Sequence, residues 1–150
     1  AITGNPIPGS WVANTPTSRW VTPFANGNIS PGAGTYTYDL TFDLTGFNPA
    51  TATISGDWSS DNTSNVLLNG VPFAAHAGGG SAFMTFDSFS TSTGFLPGIN
   101  TLTIQVVNFG GPSGAHVNNL RGDAALIPEP GSLLLAGLGC VFAVRVRRKR

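Results

Sequence analysis

Apolar and polar side chains alternate without a slip along residues 36–44, where Tyr36, Tyr38, Leu40, Phe42 and Leu44 interleave with Thr37, Asp39, Thr41 and Asp43. A period of two belongs to a β-strand and predicts one buried face and one wet face. The same period returns at residues 83–89 and at residues 100–107, where Leu102, Ile104 and Val106 face away from Thr101, Thr103 and Gln105. Shorter runs at residues 11–14, 19–24, 52–58, 65–68, 71–73 and 117–126 read as further strands, separated by Gly, Pro, Asn and Ser. Asn69-Gly70 lies between two apolar runs, the strongest short-range hairpin signal, because both residues accept the positive φ of a type I′ turn. About eight strands at this spacing, with no amphipathic helix before residue 128, predict an all-β, two-sheet antiparallel sandwich. Two four-stranded sheets in a jelly-roll-like arrangement are expected.

Charge then divides the chain. Residues 1–127 carry Arg19 and Arg121 against Asp39, Asp43, Asp57, Asp61, Asp87 and Asp123, four net negative. Residues 128–150 carry Glu129 against five basic side chains, four net positive. So sharp a split marks an appended functional segment. A body with two cations has no basic footprint for nucleic acid. Cys140 is the only cysteine, so no internal disulfide helps the core. If the chain is exported, a leader ahead of Ala1-Ile2-Thr3 has been removed or lies outside this sequence.

The tail has three parts in order. Pro128-Glu129-Pro130 holds the chain extended and stops helix from running back into the body. An uncharged run follows, with Leu133, Leu134, Leu135, Leu138, Val141, Phe142 and Val144 all round a helix. A helix apolar on every side must be surrounded by protein or lipid. Arg145, Arg147, Arg148, Lys149 and Arg150 then form a basic stop that favours the cytoplasmic face. Residues 131–144 would make about 21 Å of helix at ~1.5 Å per residue, short of the ~20 residues of a typical span. The expectation is one C-terminal transmembrane helix of marginal length, suited to temporary anchoring at the inner membrane.

This order resembles the PEP-CTERM sorting signal of Gram-negative bacteria, with Ile127 where the family most often has valine. The resemblance implies that Pro128, Glu129 and Pro130 are recognised by exosortase, which removes the tail. It implies a cell-surface or extracellular role, associated with exopolysaccharide or biofilm. The boundaries are then a sandwich at 1–127 and a sorting signal at 128–150. More weakly, Gly56-Asp57-Trp58-Ser59-Ser60-Asp61-Asn62 followed by Val66-Leu67-Leu68-Asn69-Gly70 is similar to galactose-binding-like β-sandwiches related to carbohydrate-binding modules.

Candidate chemistry in the body is sparse. Trp11, Trp20 and Trp58 would stack on sugar rings if exposed, although their places in or beside predicted strands favour the core. Asp57, Asp61 and Asn62 could offer oxygens to calcium, or Asp61-Asn62 could simply form an Asx turn between strands. His76 and His116 stand beside glycine-rich sequence, without a Gly-x-Ser-x-Gly or His-Glu-x-x-His pattern. A secreted hydrolase would need one of them within about 3 Å of a serine or aspartate in a cleft. The expected protein is non-enzymatic and without a resident cofactor. Its chief rival is a carbohydrate-binding module on the same tag.

Overall fold

The computed structural model describes residues 2–76 and 79–128. Glu129, Pro130, the apolar run, Cys140 and the basic stop lie outside the described residues, and with them the predicted transmembrane helix. Among the described residues no helix is long and apolar enough to cross a membrane.

The strands are β1 (Ile2–Thr3), β2 (Trp20–Thr22), β3 (Gly34–Asp43), β4 (Thr53–Asp61), β5 (Thr63–Leu68), β6 (Val71–Ala75), β7 (Asp87–Thr91), β8 (Ile99–Asn108) and β9 (Gly114–Asp123). They form two antiparallel sheets, ordered β1-β2-β9-β4-β7 and β3-β8-β5-β6. The expected all-β sandwich is present. The division into five and four strands replaces the predicted four and four, because the N-terminal pair β1–β2 adds to the edge of β9.

The sheets face each other through Ile54, Trp58, Phe89 and Ala115 on one side and Val66, Leu102, Ile104 and Val106 on the other. These are the alternate positions of their strands, as the period predicted. The Asn69-Gly70 turn takes φ of 52° and 82°. Asn69 also accepts from the Thr101 N–H (2.9 Å) and donates to Asn100 Oδ1 (2.8 Å), tying the hairpin to β8.

Three expectations are corrected. Residues 11–14 form no strand, since Trp11 and Val12 lie across the outside of a sheet. Residues 83–89 do not form one strand either: a 3-10 segment, Gly79–Met84, precedes β7. That segment is held as a cap, with Ala82 O accepting from Ser59 Oγ (2.8 Å) and Phe83 O accepting from the Val12 N–H (2.9 Å). Finally, β3 keeps its period but buries neither face fully, and Leu40 remains 47% exposed. It is an edge strand, and β2 on the opposing sheet is only three residues long. An apolar cleft of about 420 Å³ therefore opens between the sheets, lined by residues including Leu40, Phe42, Phe47, Phe95 and Leu120.

The opposite edge is closed. Phe73 meets Phe89 edge-on, and Phe89 meets Trp58 in the same way. Gly56 is required there: a Cβ at that position would stand 2.9 Å from Phe89 Cζ and 3.3 Å from the Asn118 carbonyl oxygen. Phe89 is wedged between two rings and has little room to give. Gly56→Ala is expected to cost about 1–3 kcal/mol through overpacking. Urea unfolding of the full chain would measure it, and an unchanged midpoint would contradict this packing.

Candidate functional site

The three tryptophans are 6%, 0% and 1% exposed at positions 11, 20 and 58, so none offers a ring to a sugar. The stacking platform is thereby excluded at these positions. Only Trp58 belongs to the core between the sheets. Trp20 lies in register with His116, and His116 with Ser59, so all three project from the outer face of the five-stranded sheet. Trp11 stacks on Trp20 (4.1 Å between ring centroids), and Phe86 meets His116 edge-on at 5.1 Å. The N-terminal segment and the 3-10 segment thus cap part of that face with a second, aromatic cluster. The sequence shows these residues as aromatic but not that a sheet would be covered on both sides.

His116 does come within 2.6 Å of a serine, Ser18. The proton arrangement does not suit a nucleophile. Ser18 Oγ directs its hydroxyl proton to the Val117 carbonyl, so its contact with His116 has Nε2–H donating to Oγ. An imidazole protonated at that nitrogen cannot take the serine's proton. His116 Nδ1 is buried without a hydrogen-bond partner, so no carboxylate orients the ring, and burial pushes its pKa down. The pair pins the N-terminal segment to β9. His76 Nδ1 lies 3.1 Å from Asp87 Oδ2 and its ring meets Trp58 edge-on, which joins the end of β6 to the start of β7.

The predicted oxygen ligands do not converge. Asp57 and Asp61 are four residues apart on β4, about 13 Å at ~3.3 Å per residue. Asp61 Oδ2 accepts from Trp11 Nε1 (2.8 Å) beneath the cap, and burial pushes its pKa up to about 6. Asn62 Oδ1 accepts from the Phe109 N–H (2.7 Å), fastening the β4–β5 connection to the loop after β8. Among the described residues no three His, Cys, Asp or Glu side chains group as metal ligands.

Asp57 belongs to a different arrangement, which the sequence reading missed. Beyond the aromatic cap, the outer face of β7, β4 and β9 is an open, polar concavity of about 500 Å³, whose side chains include Ser55, Asp57, Ser88, Ser90, Asn119 and Arg121. Register sets Asp57 opposite Ser88 and Asn118, and Ser55 opposite Ser90 and Arg121. Between those rows β9 carries one extra residue, a bulge, with Asn119 at φ 51°. The bulge restores Arg121 to the outer face and turns Leu120 into the cleft between the sheets. Asn119 Nδ2 and Ser88 Oγ donate to the two Asp57 oxygens at 2.9 and 2.6 Å. The Ser88 bond first, then the Asn119 bond, hold that carboxyl below the usual carboxylate range. Arg121 makes no salt bridge among the described residues.

At the other end, β9 runs out towards the tail. The Asn48 N–H donates to the Ala125 carbonyl (2.8 Å), and the Ile127 N–H donates to the Gly46 carbonyl (2.9 Å). Pro128, which has no N–H, comes next. The body's backbone bonding thus continues up to the residue at which the proline motif starts.

No curated protein matches the chain. It is similar to a solved structure of a family 35 carbohydrate binding module from an environmental isolate, at 10% identity and a TM-score of 0.43, over 84% of this chain and 90% of that chain. Residues 126–150 match the PEP-CTERM protein-sorting motif, and the chain therefore ends in a sorting signal for export through the membrane.

Proposed function

We propose that this chain is a non-enzymatic protein of the cell surface or extracellular matrix, delivered through its tail and processed by exosortase. Residues 1–127, a jelly-roll-like sandwich, are the cargo, and residues 128–150 are the removable signal. The observation that carries this reading is the junction. Backbone hydrogen bonding runs to Ile127, and the matched motif brings Pro128, Glu129 and Pro130 directly after it. Neither proline of the motif carries a backbone N–H, which suits the joint to recognition by a processing enzyme. The uncharged apolar run that follows would hold the chain at the inner membrane for that step. The basic stop from Arg145 to Arg150 keeps the end on the cytoplasmic side. Association with exopolysaccharide completes the reading.

Fractionation of a Gram-negative host that expresses exosortase tests it. The wild-type chain is expected at the surface or in the medium. A chain with Pro128, Glu129 and Pro130 all replaced by alanine is expected to remain in the inner membrane. Equal delivery of both would refute recognition of these residues.

A further inference from the structure

The polar concavity on the five-stranded sheet has no part in sorting, yet it is built with more care than an ordinary wet face. We propose that it binds a neutral polysaccharide, with Asp57 and Arg121 as the two anchoring groups. This deepens the reading of the chain as an exported surface or matrix protein and rests on it.

Three features point to hydroxyl-rich ligands. Each Asp57 oxygen already holds one donor from the protein, which fixes the carboxylate and leaves a lone pair on each oxygen for an incoming hydroxyl. Arg121 is one of only two cations in residues 1–127, and it stands here without a salt bridge among the described residues, its planar fork of donors uncommitted. Ser55 and Ser90, in register with it, supply small groups that both donate and accept. Rows lie about 7 Å apart along the strands and neighbouring strands about 5 Å apart, a grid on the scale of a sugar ring.

The bulge is the second, independent observation. A non-glycine residue at positive φ is uncommon, and here Asn119 adopts it where it brings its amide to Asp57. Without the extra residue, Arg121 would point between the sheets. Bulges of this kind re-aim side chains at sites.

Charge selects among polymers. The concavity pairs one carboxylate with one guanidinium, and the body around it is four net negative. Polyanions are therefore disfavoured, and a face of serines, amide and charges gives an apolar peptide nothing to bury. Each contact is weak, so retention would come from many displayed copies on one polymer.

The test is an NMR titration of the ¹⁵N-labelled full chain in phosphocholine micelles, a detergent free of sugar. The probes are cello-, xylo- and manno-hexaoses, with an oligogalacturonide as the acidic comparison. At least one neutral hexaose is expected to shift the Ser55, Ser88 and Asn119 amides and the Arg121 Nε–H saturably. Asp57→Ala and Arg121→Ala are each expected to weaken that binding by about tenfold or more, as loss of a charged hydrogen-bonding group does. Unmoved Ser59 and His116 amides would show that the variants remain folded, and Asp39→Ala, on the other sheet, should bind as wild type. Three outcomes would overturn the proposal: no neutral hexaose acting at these residues, response to the acidic probe alone, or undiminished binding by both variants. A failed titration leaves tail sorting intact, because fractionation reads sorting separately. Failed sorting alongside a positive titration would leave a sugar-binding domain whose delivery has another cause.

Discussion

Trp58→Ala is expected to remove about 3–5 kcal/mol from the stability of the sandwich, the range for deleting a buried large aromatic. The indole is 1% exposed and meets Phe89 at 5.7 Å and His76 at 5.3 Å between ring centroids. Its Nε1–H donates to Ser64 Oγ (2.9 Å), which is 2.7 Å from Ser60 Oγ. Truncation would therefore open a cavity at the middle of the core and also strip a partner from a buried hydroxyl pair bridging β4 and β5. Domains of this size are stable by about 5–15 kcal/mol in total, so much of the folded population is at risk. Trp58→Phe keeps most of the volume but not the donor, and should cost less than half as much. Urea unfolding of the two variants decides the matter: a Trp58→Ala loss below about 1 kcal/mol would contradict the core described.

Asp61→Asn is expected to stabilise the fold at pH 7, by about 2 kcal/mol and at most about 3. The carboxyl is 6% exposed, and burial pushes its pKa up to about 6 by disfavouring the charge, while the Trp11 Nε1–H offsets only part of that cost. The folded state therefore binds the proton more tightly than the unfolded chain does. Stability contributed by this group falls as pH rises from about 4 to about 6 and stays low above it. Each pKa unit corresponds to ~1.4 kcal/mol, which sets the ceiling, and the new amide N–H₂ beneath the cap takes back a share. The advantage of Asp61→Asn should thus be full at pH 7 and vanish by about pH 4. Burial of His116 acts in the opposite sense, since its lowered pKa removes stability as the solution becomes acidic. Taking the difference between variant and wild type at each pH cancels that contribution. Chemical unfolding at pH 4, 5.5 and 7 would reveal the pattern, and a constant difference would contradict a raised Asp61 pKa.

Local order in this chain is legible because side chains carry it. The alternation at residues 36–44 and 100–107, and the Asn69-Gly70 turn, depend on neighbours within a few residues, and the structure follows them. Burial is less legible because it depends on which strands become edges. Tyr38, Leu40 and Phe42 have the pattern of a buried face, but β3 has a partner on one side only and a three-residue strand across from it. Trp11 and Trp20 illustrate the same limit from the other direction. Their hydrophobicity correctly takes them out of water, yet onto the outside of a sheet that a capping segment covers.

The polar concavity was hidden for a topological reason. Ser88 and Ser90, Ser55 and Asp57, and Asn119 and Arg121 come from three strands far apart in sequence, brought side by side by the order β9-β4-β7. A one-residue bulge then shifts the phase of β9, so a continuous strand over residues 117–126 would have put Arg121 on the wrong face. The one local signal was Arg121 itself, a rare cation in an acidic body.

We propose that the sandwich, whose backbone bonding includes Ile127, is the delivered part of the protein and that the sorting signal matched at residues 126–150 is detached from it. Intact-mass analysis of the protein recovered from the surface or medium of an exosortase-bearing host tests it most directly. A C-terminus at or near Pro128 is expected, with the apolar run and basic stop gone. A recovered surface protein that still ends in Arg150 would contradict it.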